Sequence, residues 1–432
     1  MKKRHHVIAS ILLSTCTLLF PLFFASCDQL DDLGNGSSVV IKGRFQGAGG
    51  LTGALLLDRF IASVFTTAYA LDPTMASKVI IFMAGGHHEI SNVTNGSFAI
   101  EAETGSPVGL IFVGASNNFL GYLSLSNGIE SLPLTNVADN VTTIDLGTLS
   151  TSGLVVEPGR NLLGAELSLS LEEQTALAHG DDFFASVVRN PDVDGNGIID
   201  FLEGRFYRPF ITYFVNGGSF VNGVTPSIHT PARIDGHRFC VGINDNEGNL
   251  PSVIYFTGPQ GSELSNAPSE PGTNHEANSM SYGSPYVNNP SIPLAGTYSI
   301  SYKTKTLIFN IASQSAAPSN IILAVPTLVL NENQTINRIN WVYKLGSGGD
   351  ALNPQSIIES IELQISGRGI PCSNYPQQGR IYNSGMLSAN TTGHLLSCQN
   401  LQWQDVDGIG MAYNDVYGNH YVVTWSHSNQ SN

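Results

Sequence analysis

The sequence predicts a mainly β protein, built from tandem β-sandwich domains with a short helical insert between them. Three observations support this prediction. Short runs rich in Val, Ile, Phe and Tyr recur along the chain, separated by turns of Gly, Pro and Asn. Several runs alternate apolar and polar residues, as strands with one buried face do. Residues 157–206 instead show helix caps. A length of 432 residues is typical of two or three domains.

The first 26 residues are expected to direct export. A basic start at residues 2–4 precedes an almost wholly apolar stretch, residues 7–25, and the run ends in Phe24-Ala25-Ser26-Cys27. This arrangement resembles a bacterial lipoprotein signal, which implies cleavage before Cys27 and lipidation of its sulfur. Residues 27–38 are polar and are predicted to form a flexible tether. An ordinary secretory signal with a free exported product is the alternative.

Composition agrees with an exported protein whose partners are not polyanions. Charged residues make up 12% of the chain, about half the usual share. Residues 1–26 hold three of the 19 basic residues and no acidic one, so processing would change the formal charge from −15 to −18. Nucleic acids and anionic lipid surfaces need a basic face on the protein, so neither is expected as a partner. We expect attachment to a membrane of the bacterial cell envelope through Cys27, at the outer membrane or surface rather than the inner membrane.

Three further cysteines follow Cys27, namely Cys240, Cys372 and Cys398. An odd count leaves one thiol without a disulfide partner. We expect Cys372 to pair with Cys398 in the oxidising compartment, although the spacing leaves the other two pairings open.

Residues 39–156 predict the first β-sandwich. Residues 78–83 read as a buried strand, Asn95-Gly96 as a tight turn, and residues 97–102 as a strand that alternates apolar and polar side chains. This order of strand, turn and alternating strand resembles the carboxypeptidase regulatory-like, prealbumin-type sandwich. The resemblance implies a stiff accessory module and assigns no active site.

Residues 157–206 predict the helical insert. Ser170 and Glu173 have the spacing of a capping box, and Gly180 would end this first helix. A second short helix is predicted over residues 183–189.

The most specific pattern of the sequence is the run at residues 192–203, Asp-Val-Asp-Gly-Asn-Gly-Ile-Ile-Asp-Phe-Leu-Glu. Oxygen-bearing side chains fall at positions 1, 3, 5, 9 and 12, and Gly197 at position 6 would allow the sharp turn. This spacing resembles the EF-hand and dockerin-type calcium loops of secreted bacterial proteins, which implies a structural Ca²⁺ that pins the chain. Ile199 would point away from the ion into the core. The implied ligands are Asp192, Asp194, Asn196, the Ile198 carbonyl, Asp200 and Glu203.

A solvated acidic turn without an ion is the alternative for this run. It would require the loop to tolerate the repulsion of four nearby carboxylates without a counter-ion. A second run at residues 405–410 begins similarly, but Ile409 stands at position 5, and we predict only a turn there. A dockerin carries two such loops, so a single loop argues against dockerin function.

Residues 207–432 predict further β-sandwiches. We divide them into an Ig-like unit, residues 207–323, and a fibronectin-like unit, residues 324–432, where Trp341 on an early strand supports a weak resemblance to fibronectin type III units. One large sandwich is the alternative. Residues 259–290, rich in Gly, Ser, Asn and Pro, are predicted to form a long loop.

The sequence shows no catalytic constellation. His87-His88-Glu89 lacks the spacing that places two imidazoles on one zinc ion, and neither a nucleophile elbow nor a phosphate loop occurs. His420 and His427 flank a strand, where we expect them to pack against aromatic residues. We therefore predict a calcium-binding, lipid-anchored envelope or surface protein, a structural or adhesive module for a protein or carbohydrate ligand, and no enzymatic activity. The alternative is a carbohydrate-active enzyme with accessory domains, because its paired carboxylates would come from distant strands.

Overall fold

The computed structural model describes residues 38–45, 75–83, 88–105, 107–125, 129–134, 137, 141–162, 166–167, 187–221, 223–270, 273–276, 278–302, 305–311, 318–367, 380–397, 401–416 and 418–427. Strands predominate in these ranges, which confirms the mainly β fold class. The signal segment, Cys27, Cys372, Cys398 and residues 168–186 lie outside the described residues. Residues 187–189 are helical and belong to the predicted second helix, whose earlier residues lie outside the described ranges. The helical insert therefore stays a prediction.

No helix in the described part of the chain is long and apolar enough to cross a membrane.

Within the described residues, nine strands form the first β unit. They are β1 (Ser38–Phe45), β2 (Lys78–Met83), β3 (His88–Asn92), β4 (Ser97–Glu103), β5 (Pro107–Val113), β6 (Phe119–Leu123), β7 (Leu132–Pro133), β8 (Thr143–Ser152) and β9 (Val155–Glu157). Their hydrogen-bonded order is β3-β2-β5-β6-β9-β8-β1-β4, and β7 pairs with β5.

Alternation builds the inner core of this unit. In β4, Phe98, Ile100 and Ala102 are buried while their neighbours are exposed, as the sequence predicts. Asn95 and Gly96 have φ angles of 52° and 72°, the left-handed conformation that a tight Asn-Gly turn requires. The predicted strand at residues 78–83 is β2.

Strand β5 is buried on both faces, at all seven positions. Phe112 faces the inner core of the first β unit, whereas Ile111 and Val113 face a separate apolar cluster on the other side of the sheet. Residues 187–201 contribute Val188 and other side chains to that cluster. The segment that contains the acidic loop therefore packs on the outer face of the first β unit.

The remaining strands form the second β unit, after a 3₁₀ turn at Asp200–Glu203. They are β10 (Arg205–Phe220), β11 (Ser227–Asp245), β12 (Tyr255–Thr257), β13 (Ala267–Pro268), β14 (Thr273–Glu276), β15 (Ser279–Gly283), β16 (Gly296–Tyr302), β17 (Lys305–Ile311), β18 (Ile322–Leu330), β19 (Ile336–Leu345), β20 (Ile358–Gly367), β21 (Arg380–Ser388), β22 (Gly393–Leu395), β23 (Val406–Asp415) and β24 (His420–His427). Further 3₁₀ turns lie at Pro354–Ser356 and Trp403–Asp405.

One large sheet joins the two halves of the second β unit. Its order is β14-β15-β11-β10-β24-β23-β20-β21, and smaller sheets have the orders β13-β12-β16-β17 and β18-β19-β22. Strand β10 pairs in parallel with β24, and the register places Thr212 beside His420, 208 residues further along the chain. A single hydrophobic core extends from Val193 to Trp425. Strands from residues 207–323 and from residues 324–432 therefore take part in one sheet.

Two local predictions are wrong. The long loop predicted at residues 259–290 contains β13, β14 and β15, and Tyr282 of β15 is fully buried and pairs with Val241. The turn predicted at residues 405–410 is mostly the start of β23. Ser and Gly in β15 and Gly in β23 interrupt the apolar alternation by which a strand is recognised in the sequence.

Candidate metal centre

The acidic loop, residues 192–203, is held between two hydrophobic cores. Ile199 is fully buried in the cluster on the first β unit, and its backbone N–H donates to the Asn117 carbonyl at 3.2 Å. Phe201 packs edge-to-face on Phe82, with ring centroids 3.7 Å apart. Val193, at the other end of the loop, is buried in the core of the second β unit. The inward orientation predicted for Ile199 is therefore confirmed.

The backbone of the loop turns as the glycine pattern predicts. Gly195 and Gly197 have φ angles of 65° and 90°, which residues with a Cβ rarely adopt. The Asp192 carboxylate accepts the N–H groups of Asn196 at 3.1 Å and of Gly197 at 2.9 Å. The Asp192 side chain, at position 1 of the loop, therefore stabilises the turn through its hydrogen bonds.

Three of the predicted ligands come together. Asp192, Asp194 and Asp200 each offer one carboxylate oxygen, and these oxygens lie within 4.8 Å of one another. Among the acidic, His and Cys side chains of the described residues, these three aspartates form a group that could hold a metal ion. Like charges this close repel strongly unless a cation or a proton compensates them.

Asp200 is the most unusual member of this group. It is 1% exposed, and its Oδ2 accepts the Val193 N–H at 2.8 Å. Its Oδ1 is buried and has no hydrogen-bond partner among the described residues. Burial, with the nearby charges of Asp194 and Asp192, raises the pKa of Asp200 to about 7. A buried carboxylate oxygen without a donor normally costs free energy, so its environment lacks one positive or donating group.

Asn196 and Glu203 meet each other rather than the three aspartates. Asn196 Nδ2 donates to Glu203 Oε1 at 2.6 Å, and Asn196 Oδ1 accepts the Ile198 N–H at 2.8 Å. The Ile198 side chain is exposed, as a residue that contributes only its carbonyl can be. Of the predicted ligand set, the structure thus gathers the three aspartates and places Asn196 and Glu203 as a hydrogen-bonded pair of the same loop.

Arg205 is a residue of the candidate site that the sequence analysis missed. Its Nη1 donates to Asp194 Oδ2 and lies 3.5 Å from Glu203 Oε2, while its Nε donates to Asp245 Oδ2 at 3.1 Å. Burial lowers the pKa of Arg205, but the carboxylates of Asp194, Asp245 and Glu203 raise it by more. The pKa of Arg205 therefore lies above its ordinary value. Its position two residues after Glu203, the last residue of the acidic loop, was the signal in the sequence that could have indicated it.

A second positive charge lies near the loop. Lys305 Nζ lies 3.6 Å from the point where a Cβ on Gly195 would stand. Tyr302, three residues earlier, is hydrogen-bonded through its hydroxyl to Tyr207, and their rings stack 6.1 Å apart. Burial raises the pKa of both tyrosines, and the Asp200 charge raises them further. The hairpin of β16 and β17 therefore closes one side of the acidic loop.

The donor set fits a hard cation. Every side chain that faces the centre offers oxygen, the ligand that Ca²⁺ and Mg²⁺ prefer, and the described group contains neither imidazole nor thiolate. Asp192, Asp194, Asp200 and Glu203 bring four carboxylates, and Arg205 is the guanidinium that contacts two of them. The charge of the loop is therefore only partly neutralised by the protein itself.

The histidines singled out from the sequence lie elsewhere. His427 stacks on Trp403 with centroids 3.9 Å apart, and its Nδ1 lies 2.8 Å from the Val406 carbonyl oxygen. His420 Nδ1 lies 2.8 Å from Asn414 Oδ1. Aromatic packing is thus confirmed for His427. Strand β3 begins at His88, and His87 lies outside the described residues.

Fold and site together define a mainly β protein with an acidic, oxygen-only candidate metal centre between two β units. No family model matches the sequence, and no curated protein matches it.

Proposed function

We propose that this protein binds one calcium ion in the loop at residues 192–203 and that the ion stabilises the joint between its two β units. The observation that supports this proposal best is the Asp200 carboxylate, which is buried beside Asp192 and Asp194 with one oxygen lacking a donor. A divalent cation would supply the missing partner and offset the repulsion among the three aspartates. A solvated acidic turn would place such a carboxylate in water instead.

Calcium suits the loop better than magnesium. The proposed shell includes a backbone carbonyl and a glutamate that can bind through both oxygens, which gives the six to eight ligands that Ca²⁺ takes. Magnesium prefers six ligands at shorter distances and usually keeps several waters. The proposed ligands are Asp192, Asp194, Asn196, the Ile198 carbonyl, Asp200 and Glu203.

The position of the loop supports a structural role for the ion. Val193 is anchored in the core of the second β unit, and Ile199 in the cluster on the first. Arg189 adds an ion pair to Glu130 of the first β unit, with Nε and Oε2 2.7 Å apart. An ion bound between Val193 and Ile199 would fix the distance between these anchors.

The wider proposal is a lipid-anchored module of the bacterial cell envelope or surface. It rests on the sequence around Cys27, and it assigns the β units a structural or adhesive role toward a protein or carbohydrate ligand. The carbohydrate-active enzyme remains the alternative, and none of the described contacts favours it.

Calcium titration by calorimetry, with thermal melts alongside, tests the proposal. We expect about one ion per chain and a melting temperature that rises with calcium concentration. Asp192→Asn should abolish both effects, whereas Asp350→Asn, at an aspartate with 81% side-chain exposure, should change neither. With EGTA, protease cleavage within residues 190–206 should accelerate. A wild-type protein that binds no calcium at about millimolar concentration, the weak end for extracellular sites, would refute the proposal.

A further inference from the structure

The ion-free loop already satisfies most of its own carboxylates, and Arg205 is central to that arrangement. The guanidinium contacts Asp194 and Glu203 through Nη1. The other Glu203 oxygen, Oε1, accepts from the Asn196 amide at 2.6 Å. Both oxygens of the residue that should close the calcium shell are therefore occupied by donors of the protein itself.

A calcium ion could not bind through Asp194 and Glu203 while these contacts persist. A cation and a guanidinium at the same oxygens would repel each other at contact distance. The Asp200 Oδ1, in contrast, is already available, since it has no donor among the described residues. Calcium binding thus requires that Asp194 and Glu203 exchange their protein donors for the ion, whereas Asp200 can bind it through Oδ1 without losing a hydrogen bond.

Asp245 can remain ion-paired with the guanidinium after it leaves Asp194 and Glu203. It lies opposite Arg205 in the β10–β11 ladder and is 4% exposed. Its Oδ1 accepts the Glu247 N–H at 2.9 Å, and its Oδ2 accepts from Arg205 Nε at 3.1 Å. The Asp245 carboxylate is therefore fixed by the turn that follows it, outside the loop, and can hold Arg205 in either state.

We propose that Arg205 is an internal competitor of calcium, which neutralises Asp194 and Glu203 in the ion-free protein and withdraws to Asp245 when the ion binds. This inference rests on the proposed calcium site. It makes Arg205 a residue that sets the affinity of the site without being a ligand. It also gives Asp245, which lies outside the ligand pattern, a defined effect on calcium binding.

Calorimetry on the purified full-length protein and two variants tests the inference. Arg205→Gln removes the competing charge and should bind calcium about tenfold more tightly than wild type, while its melting temperature in EGTA falls. Asp245→Asn removes the carboxylate that retains Arg205 and should weaken calcium binding by a similar factor. Arg233→Gln, at an arginine of β11 with 74% side-chain exposure, is the matched control and should leave the affinity unchanged.

The outcomes separate this inference from the calcium site itself. Wild-type binding with an unchanged or weaker affinity in folded Arg205→Gln would overturn the competitor role and leave the site intact. Binding by Arg205→Gln alone would support an arginine that blocks the loop. Absence of binding in wild type and in both variants would overturn both proposals. If Arg205→Gln does not fold, Asp245→Asn decides, because an affinity equal to that of wild type would contradict the exchange of partners.

Discussion

Replacing Asp200 by asparagine should have opposite effects on the protein with and without calcium. The two side chains have nearly the same shape, and the asparagine Oδ1 can still accept the Val193 N–H. The variant loses the negative charge that lies beside Asp192 and Asp194. Its amide N–H groups can donate to those carboxylates, where Asp200 offers only another acceptor. Without calcium the change should therefore stabilise the loop, and with calcium it should remove a ligand.

The pKa of Asp200 gives the magnitude of the effect. Burial raises this pKa from 3.8 to about 7, so the folded, ion-free protein holds the proton more tightly than the unfolded chain does. The stability that this protonation contributes is complete below pH 3.8 and is lost as the pH rises through about 7. At about pH 8 the ionised carboxylate lowers the free energy of unfolding by up to about 4 kcal/mol. At about pH 5 the cost is below about 2 kcal/mol, because the folded protein is still protonated.

Hydrogen exchange of residues 187–206 measures this free energy locally. In EGTA at about pH 8, the Asp200→Asn segment should exchange more slowly than wild type, and the difference should shrink toward about pH 5. Calcium should slow exchange in wild type and not in the variant. Asp350→Asn serves again as the exposed control. Faster exchange of the variant in EGTA would show that the Asp200 carboxylate is not under strain, and the reasoning would fail.

Two further predictions concern the packing of the loop and a buried histidine of the second β unit. Ile199→Ala should destabilise the joint by roughly 2–5 kcal/mol, because it leaves a cavity at a fully buried position. Ile198→Ala, at an exposed neighbour, should change stability by less than about 0.5 kcal/mol. Thermal melts with saturating calcium compare the two variants, and equal losses of stability would contradict the packing. His237 is 1% exposed, and burial lowers its pKa to about 4. Its stabilising neutral form is fully effective above about pH 6.5 and is lost as the pH falls toward 4, at a cost of up to about 3 kcal/mol. His237→Gln should flatten the pH dependence of unfolding in that window, and a profile that parallels wild type would exclude this cause.

Local patterns in the sequence were sufficient where one strand or one turn decides the structure. The alternation of Phe98, Ile100 and Ala102 gave the buried face of β4, and Asn95-Gly96 gave its turn. In the acidic loop, position 8 predicted the burial of Ile199. These features depend on residues close together in sequence, so no knowledge of distant strands was needed.

Features that depend on distant partners could not be predicted in the same way. The pairing of β10 with β24 brings Thr212 beside His420, and no local pattern marks that choice. Arg205 reaches Asp245, 40 residues away, because β10 and β11 form a long hairpin whose register the sequence does not reveal. Tyr302 comes near Asp200 through a third strand. The acidic pattern of the loop was therefore readable from the sequence, whereas the distant groups that lie beside it were not.

The packing of the loop argues that the proposed calcium ion would be bound continuously and would not act as a signal. A calcium sensor opens its helix pair and exposes an apolar groove when the ion binds. Here Phe201 packs on both Phe82 and Phe206, and Ile199 is fully buried, so opening the loop would expose apolar surface from the joint. A competing Arg205 would lower the affinity toward the range of about 0.1–1 mM that is typical of extracellular modules. Calcium at that concentration is found outside cells, so the joint would be stabilised after export, where the proposed lipid anchor would hold the protein.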